Sequence, residues 1–157
     1  MGGWTFVAQL GVILGFAMGA TGSVLGIWAA GTAAAGAWAR DAKAGKRLRF
    51  PYIIFIGAPL SQTFYAMFVM MSGLSAVVAA GAAAMAANAG LVLGIGLATG
   101  LGEMLSAWGQ GVIGAAAIRC MSEADGKGLA FLLIAIGIIE TVGIFTMVFM
   151  LGMVPAV

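Results

Sequence analysis

Few residues in this chain have chemistry to offer, and the clearest is Glu140. It stands near the middle of Ile134-Ala-Ile-Gly-Ile-Ile-Glu140-Thr-Val-Gly-Ile-Phe-Thr-Met-Val-Phe149, a stretch apolar enough for a membrane helix. An acidic side chain at the centre of such a helix costs about 2.5 to 3.5 kcal/mol on insertion scales, so it must be protonated, paired or holding a cation. A glutamate facing a water-filled crevice with nothing to carry is the plainer alternative. Binding and release of a small cation is the reading that the other polar residues favour. Ala58, Ser61, Gln62 and Tyr65 follow an i, i+3, i+4, i+7 pattern, which places them on one helical face. Lipid offers such a face no hydrogen-bond partners, so it must turn inward. Gln110 lies about nine residues from a polar loop and Glu140 about twelve, so at about 1.5 Å per residue their depths agree within roughly one turn.

These groups form an oxygen-only set: one carboxylate, two amide oxygens, the Ser61 hydroxyl, the Tyr65 phenol and the Ala58 carbonyl beside Pro59. Hard oxygen ligands suit Na⁺, and one carboxylate balances one monovalent charge; a proton on Glu140 achieves the same neutrality. The alternative for Gln62 and Gln110 is a purely structural pair of interhelical hydrogen bonds. Glu103 precedes Gln110 by two helical turns on nearly the same face. Lining an access path and pointing at lipid headgroups inside a ring are both open to it, and the sequence does not decide its role.

The elements that must position these groups follow from composition. Hydrophobic residues make up 63% of the chain and charged residues only 8%, where a soluble domain has about 25% charged residues. Ala, Gly, Leu, Ile and Met dominate without strand-like alternation, so an all-α integral membrane protein is predicted, with four transmembrane helices arranged as two tandem-repeated hairpins. Hairpin 1 spans residues 1–80, with helices at about 5–39 and 50–80. Hairpin 2 spans 87–157, with helices at about 88–119 and 128–153, and the two make one membrane domain. The least marked boundary is the Ala- and Gly-rich stretch 79–90, where Asn88-Ala-Gly90 is the expected turn. The absence of His leaves proton or metal chemistry to carboxylates, amides and hydroxyls, and the single Cys120 permits no internal disulfide. The first apolar run is too long for a signal peptide and is expected to remain in the mature protein.

Glycines recur at Gly11, Gly15, Gly19, Gly22 and Gly26, clearing one face of the first helix for close approach of another backbone. Pro51 suits a first helical turn, whereas Pro59 should free a carbonyl and bend the second helix. The loop Arg40–Arg49 has five basic residues, and Arg119–Lys127 is the second polar loop. The positive-inside rule puts both in the cytoplasm and both termini outside. Trp4 and Trp38 read as interfacial belt residues, Trp28 and Trp108 as packing.

An offset of about 78 positions superposes the two halves. Ala20-Thr21-Gly22 falls on Ala98-Thr99-Gly100, Gly31 on Gly109, Gly36 on Gly114, and Gln62-Thr63 on Glu140-Thr141. The repeat is parallel, and its first copy holds an amide where the second holds the acid.

With its length, hairpins, repeat and single fourth-helix acid, the chain resembles the proteolipid (c or K) rotor-ring subunits of V-type and related A/V-type ATPases. The most specific segments are Pro59-Leu-Ser-Gln62-Thr-Phe-Tyr65, Ser106-Ala-Trp-Gly-Gln110-Gly and Ile139-Glu140-Thr141, which look most like the sodium-translocating bacterial branch. The resemblance implies Na⁺ held by Glu140, Gln110, Gln62, Ser61 and the Ala58 backbone carbonyl, with Tyr65 bonded to the carboxylate and Thr141 in support. Ser61 and Ala58 replace the expected Thr and Leu while keeping the ligating oxygens. The implied partners are identical subunits in a cell-membrane ring, a stator membrane subunit of the a/I type, a central-stalk subunit at the cytoplasmic loops, and lipid. No nucleic acid, organic cofactor or catalytic residue is implied: the proteolipid carries ions while ATP hydrolysis elsewhere drives rotation. Three alternatives remain open at this level: the same rotor carrying H⁺, a small stand-alone proton-coupled transporter, and a purely structural proteolipid. The parallel rather than inverted repeat speaks against the transporter.

Overall fold

The computed structural model of the chain describes residues 2–157, and the described residues are helical with short connections. Helix α1 (Gly3–Lys43) runs unbroken for 41 residues. The second span, Tyr52–Ala79, is a composite of α2 (Tyr52–Gly57), a 3-10 turn at Ala58–Leu60, α3 (Ser61–Val69), a π-helical turn at Met70–Leu74 and α4 (Ser75–Ala79). The short α5 (Ala82–Ala87) leads into α6 (Ala89–Glu123), and α7 (Leu129–Gly152) closes the chain. Four of these spans are long and apolar enough to cross a membrane: α1, the composite Tyr52–Ala79, α6 and α7.

Pro59 accounts for the first break in the second span. Lacking an N–H, it cannot bond the Phe55 carbonyl one turn back, and the chain tightens into i→i+3 geometry. The reversal after α4 falls at Gly81, whose φ of 95° belongs to the left-handed region that glycine enters without Cβ strain. The expected turn at Asn88-Ala-Gly90 is instead a break between α5 and α6, with Asn88 at φ −108° and its amide bonded to the Ala84 carbonyl. Ala and Gly crowd this whole stretch, so sequence alone does not mark which glycine reverses the chain.

The glycine face of α1 packs against α6. A β-carbon at Gly11 would stand 2.5 Å from the Val92 carbonyl oxygen, and one at Gly15 would stand 3.2 Å from that of Gly96. Gly111 meets the backbone of Gly26 in the same way further along. The two helices thus approach to backbone contact, which larger side chains would prevent. The second span and α7 pack outside this pair. Of α7 only Ile136 and Gly143 are buried, while Phe131, Ile134, Ile138, Phe145 and Phe149 face outward.

Two apolar clusters sit at opposite ends of the bundle. Ala30, Ala34, Tyr52, Phe55, Ile118 and Met121 form one near the polar loops. Val69, Leu74, Val77, Met85, Val92 and Ile95 form the other. Between them lies a belt of buried polar side chains: Ser23, Gln62, Thr99, Glu103, Ser106 and Gln110.

The two polar loops meet at one end. Arg49 bonds both carboxylate oxygens of Asp41 (2.8 and 2.9 Å) and reaches Asp125 at 2.6 Å, and Lys46 joins Asp125 at 3.0 Å. Asp125 is held below the usual carboxylate range by the Lys46 hydrogen bond and by the charges of Lys46 and Arg49. Trp38 donates to the Arg49 carbonyl at 3.0 Å at this end, whereas Trp28 and Trp108 are exposed on the surface of the chain.

Candidate functional site

The polar belt is assembled from three helices. On the second span, the 3-10 turn delivers Ser61 and Gln62 one after the other. The Ser61 hydroxyl lies 2.9 Å from the Ala58 carbonyl and 3.1 Å from the Gln62 amide oxygen. The Ala58 carbonyl also accepts the Ser61 N–H, a consequence of the tight turn around Pro59. Pro59 is itself anchored: its carbonyl accepts the Ser23 hydroxyl of α1 at 2.6 Å, and Thr63 donates to that same hydroxyl at 2.7 Å.

Gln62 is fully buried and crosses to α6, donating from Nε2 to the Ser106 hydroxyl at 3.2 Å. Ser106 in turn donates to the Ile139 carbonyl of α7 at 3.0 Å. One relay therefore joins the second, third and fourth spans and ends on the residue before Glu140. Because Ser106 spends its proton on Ile139, its oxygen must accept from Gln62. The Gln62 amide nitrogen is fixed on the Ser106 side and its oxygen on the Ser61 side. Sequence reading passes over Ser106 as a participant, although it lies one turn before Gln110 on the same helix.

Glu140 is half-buried at the outer edge of this belt, where the Tyr65 hydroxyl donates to its Oε1 at 2.9 Å. The predicted set of Glu140, Tyr65, Gln62, Ser61 and the Ala58 carbonyl is thereby gathered at one level. Gln110 is fully buried, and both polar atoms of its amide lack a hydrogen-bond partner. An amide left so within one protomer is costly, since a buried unpaired polar group forfeits about 1–3 kcal/mol. Thr141 is exposed and bonds the Ile138 carbonyl of its own helix at 2.6 Å, so its hydroxyl takes no part in the relay.

The structure gives Glu103 a place that the sequence leaves open. It is fully buried within the bundle, and neither carboxylate oxygen has a partner. A β-carbon on Gly143 of α7 would stand 2.7 Å from its Oε2, and one on Gly19 of α1 would stand 3.4 Å from its Cβ. The glycine at position 143 leaves the room that the Glu103 carboxyl occupies.

What the arrangement can do chemically is hold one small cation, or a proton, at Glu140 with neutral oxygens at hand. Among the described residues no group of three or more His, Cys, Asp or Glu side chains is placed to hold a metal, and the oxygens beside Glu140 come from neutral donors. Residues 93–153, which contain Glu103, Ser106, Gln110 and Glu140, match the family model that describes the C subunit of ATP synthase. No curated protein matches the chain. The match covers less than half of the chain and falls on α6 and α7, two of the four spans long and apolar enough to cross a membrane.

Proposed function

We propose that this chain is the proteolipid of a V-type rotary ATPase, and that each copy in the ring carries one Na⁺ at Glu140 while ATP hydrolysis elsewhere drives rotation. The observation that carries the reading is the convergence of Glu140, Tyr65, Gln62, Ser61 and the Ala58 carbonyl at one depth, linked through Ser106. Gln110 supplies a further buried amide whose polar atoms have no partner within the protomer. In this mechanism Glu140 loads an ion from a half-channel in the stator, and Na⁺ neutralises its charge. The neutral complex then crosses the lipid-facing arc at low electrostatic cost. Gln62, in the position that repeats Glu140, offers an amide oxygen but no charge, so each four-helix protomer carries one ion rather than two. The loops tied by Arg49 and Asp125 face the cytoplasm and the central stalk, by the positive-inside rule.

Labelling with dicyclohexylcarbodiimide, which attacks only a protonated carboxyl, tests the ion. Protection of Glu140 by NaCl but not KCl at neutral pH is the expected result. Labelling that follows pH and ignores Na⁺ would assign the same rotor to protons, and failure to label Glu140 at any pH would sink both.

A further inference from the structure

Glu103 has no role in the mechanism above, yet it lies deeper in the bundle than any other acid of the chain and is wholly enclosed. Its surroundings point to one neighbour. Around the position that a β-carbon of Gly143 would take, Glu103 Oε2 lies at 2.7 Å, with Gln62 Nε2 and Ser106 Oγ both at 3.3 Å. Three polar atoms from two helices thus ring one spot on the glycine surface of a third.

The hydrogen-bond inventory of Gln62 is incomplete on that side. Its amide nitrogen has two protons, and the Ser106 hydroxyl takes one. Ser106 cannot take the other in the same geometry, and Gly143, lacking a side chain, offers nothing. Facing that same spot is the Glu103 carboxyl, whose two oxygens have no partner and whose terminal torsion is broad. A carboxylate and a neutral carboxyl both present an acceptor oxygen, so the pairing holds in either protonation state.

We propose that Glu103 is a positioning residue: with Ser106 it captures both protons of the Gln62 amide and so fixes the carbonyl oxygen of Gln62 toward the ion at Glu140. An amide free to flip would present N–H groups to a cation and repel it. The proposal deepens the sodium reading of the site and rests on it. Glu103 touches no ion and acts through Gln62, and the glycine at position 143 serves to admit its carboxyl.

The test uses the assembled complex in its membrane, with carbodiimide modification followed at Glu140 itself by peptide mapping while NaCl is titrated. Glu103→Gln keeps an acceptor oxygen and should hold the half-protecting Na⁺ concentration within about threefold of the parent. Glu103→Leu has similar bulk and no acceptor, and should raise it at least about tenfold, as expected for a lost hydrogen bond beside a charged site. The Na⁺-free labelling rate should stay unchanged in both. In a Gln62→Leu background the Glu103→Leu change should add nothing, because the coupled group is gone. Should Leu prevent assembly, Glu103→Ala removes the acceptor without adding bulk and is expected to show the same loss. Equal Na⁺ protection in the Gln and Leu (or Ala) variants would overturn the positioning role and leave the sodium site intact. Absence of Na⁺ protection in the parent would instead overturn the sodium reading, and this inference with it.

Discussion

The two hairpins are copies of one plan, yet they treat the same mid-membrane position in opposite ways. In hairpin 2 the position is Glu140, on a smooth α7 of 24 residues whose flanks are mostly exposed. In hairpin 1 it is Gln62, fully buried, on a span broken by a 3-10 turn at Ala58–Leu60 and a π-helical turn at Met70–Leu74. The regular helix presents the charge at an accessible edge, and the irregular one delivers neutral oxygens from within. Helical irregularity of this kind is a usual way to aim backbone and side-chain groups at a functional point. On the proposed function this is a division of labour, in which one hairpin keeps the acid and the other supplies neutral oxygens.

Substitutions that blur the difference between the copies test this view. The largest effect is expected from Glu140→Gln, which gives both hairpins an amide at the matching position. Carbodiimide incorporation into α7 and ion transport by the intact complex should both be abolished while the ring still assembles, and residual coupled transport would break the comparison. A step down in size, Gly111→Ala should destabilise the detergent-solubilised protein by about 1–3 kcal/mol, because its methyl would enter the backbone of Gly26. Gly57→Ala has open space and a helical φ of −79°, so it should be neutral or slightly stabilising in the same thermal scan. Tyr65→Phe removes the bond between the two copies at Glu140, and should weaken Na⁺ protection several-fold, in keeping with roughly 1 kcal/mol for a hydrogen bond.

The smallest effect is reserved for the loops. The carboxyl of Asp125 is lowered in the folded state, so the ties to Lys46 and Arg49 are fully present above the ordinary carboxylate value of about 3.9 and are lost as pH falls through the lower folded value. Amide protection factors for residues 44–51 and 124–128 should therefore stay level from pH 8 to about 5 and drop only below about 4. Asp125→Asn should lower them slightly at neutral pH, since exposed ion pairs contribute little.

Much of this is legible in the sequence because lipid is an unforgiving solvent. A polar face on an apolar helix has only one way to turn, so Ser61, Gln62 and Tyr65 announce their side from spacing alone. The glycine ladder of α1 announces a close helix neighbour, and the structure identifies α6 as that neighbour. Glu103 is not legible in the same way. Helix α6 is apolar or small nearly all round, so its rotation is not fixed by pattern, and the space for the Glu103 carboxyl comes from Gly143, which lies far away in sequence. Ser106 escapes notice for the related reason that a hydroxyl can satisfy itself on its own helix, as Thr141 does. Trp28 and Trp108 are exposed on the single protomer.

The seam between α1 and α6 also bears on how the protein is made. The glycine face of α1 is covered mostly by a helix that follows after the whole second span, although Gly19 and Gly26 also meet that span at Ala66 and Pro59. Until α6 is synthesised, the first hairpin sits in the bilayer with a smooth groove open to any similar helix. Joining both hairpins in one polypeptide turns that encounter into an intramolecular event, with a tether holding the partner at an effective concentration in the millimolar range. A nascent chain halted after residue 80 would have no such tether, and its groove would be left to pair with other copies of itself.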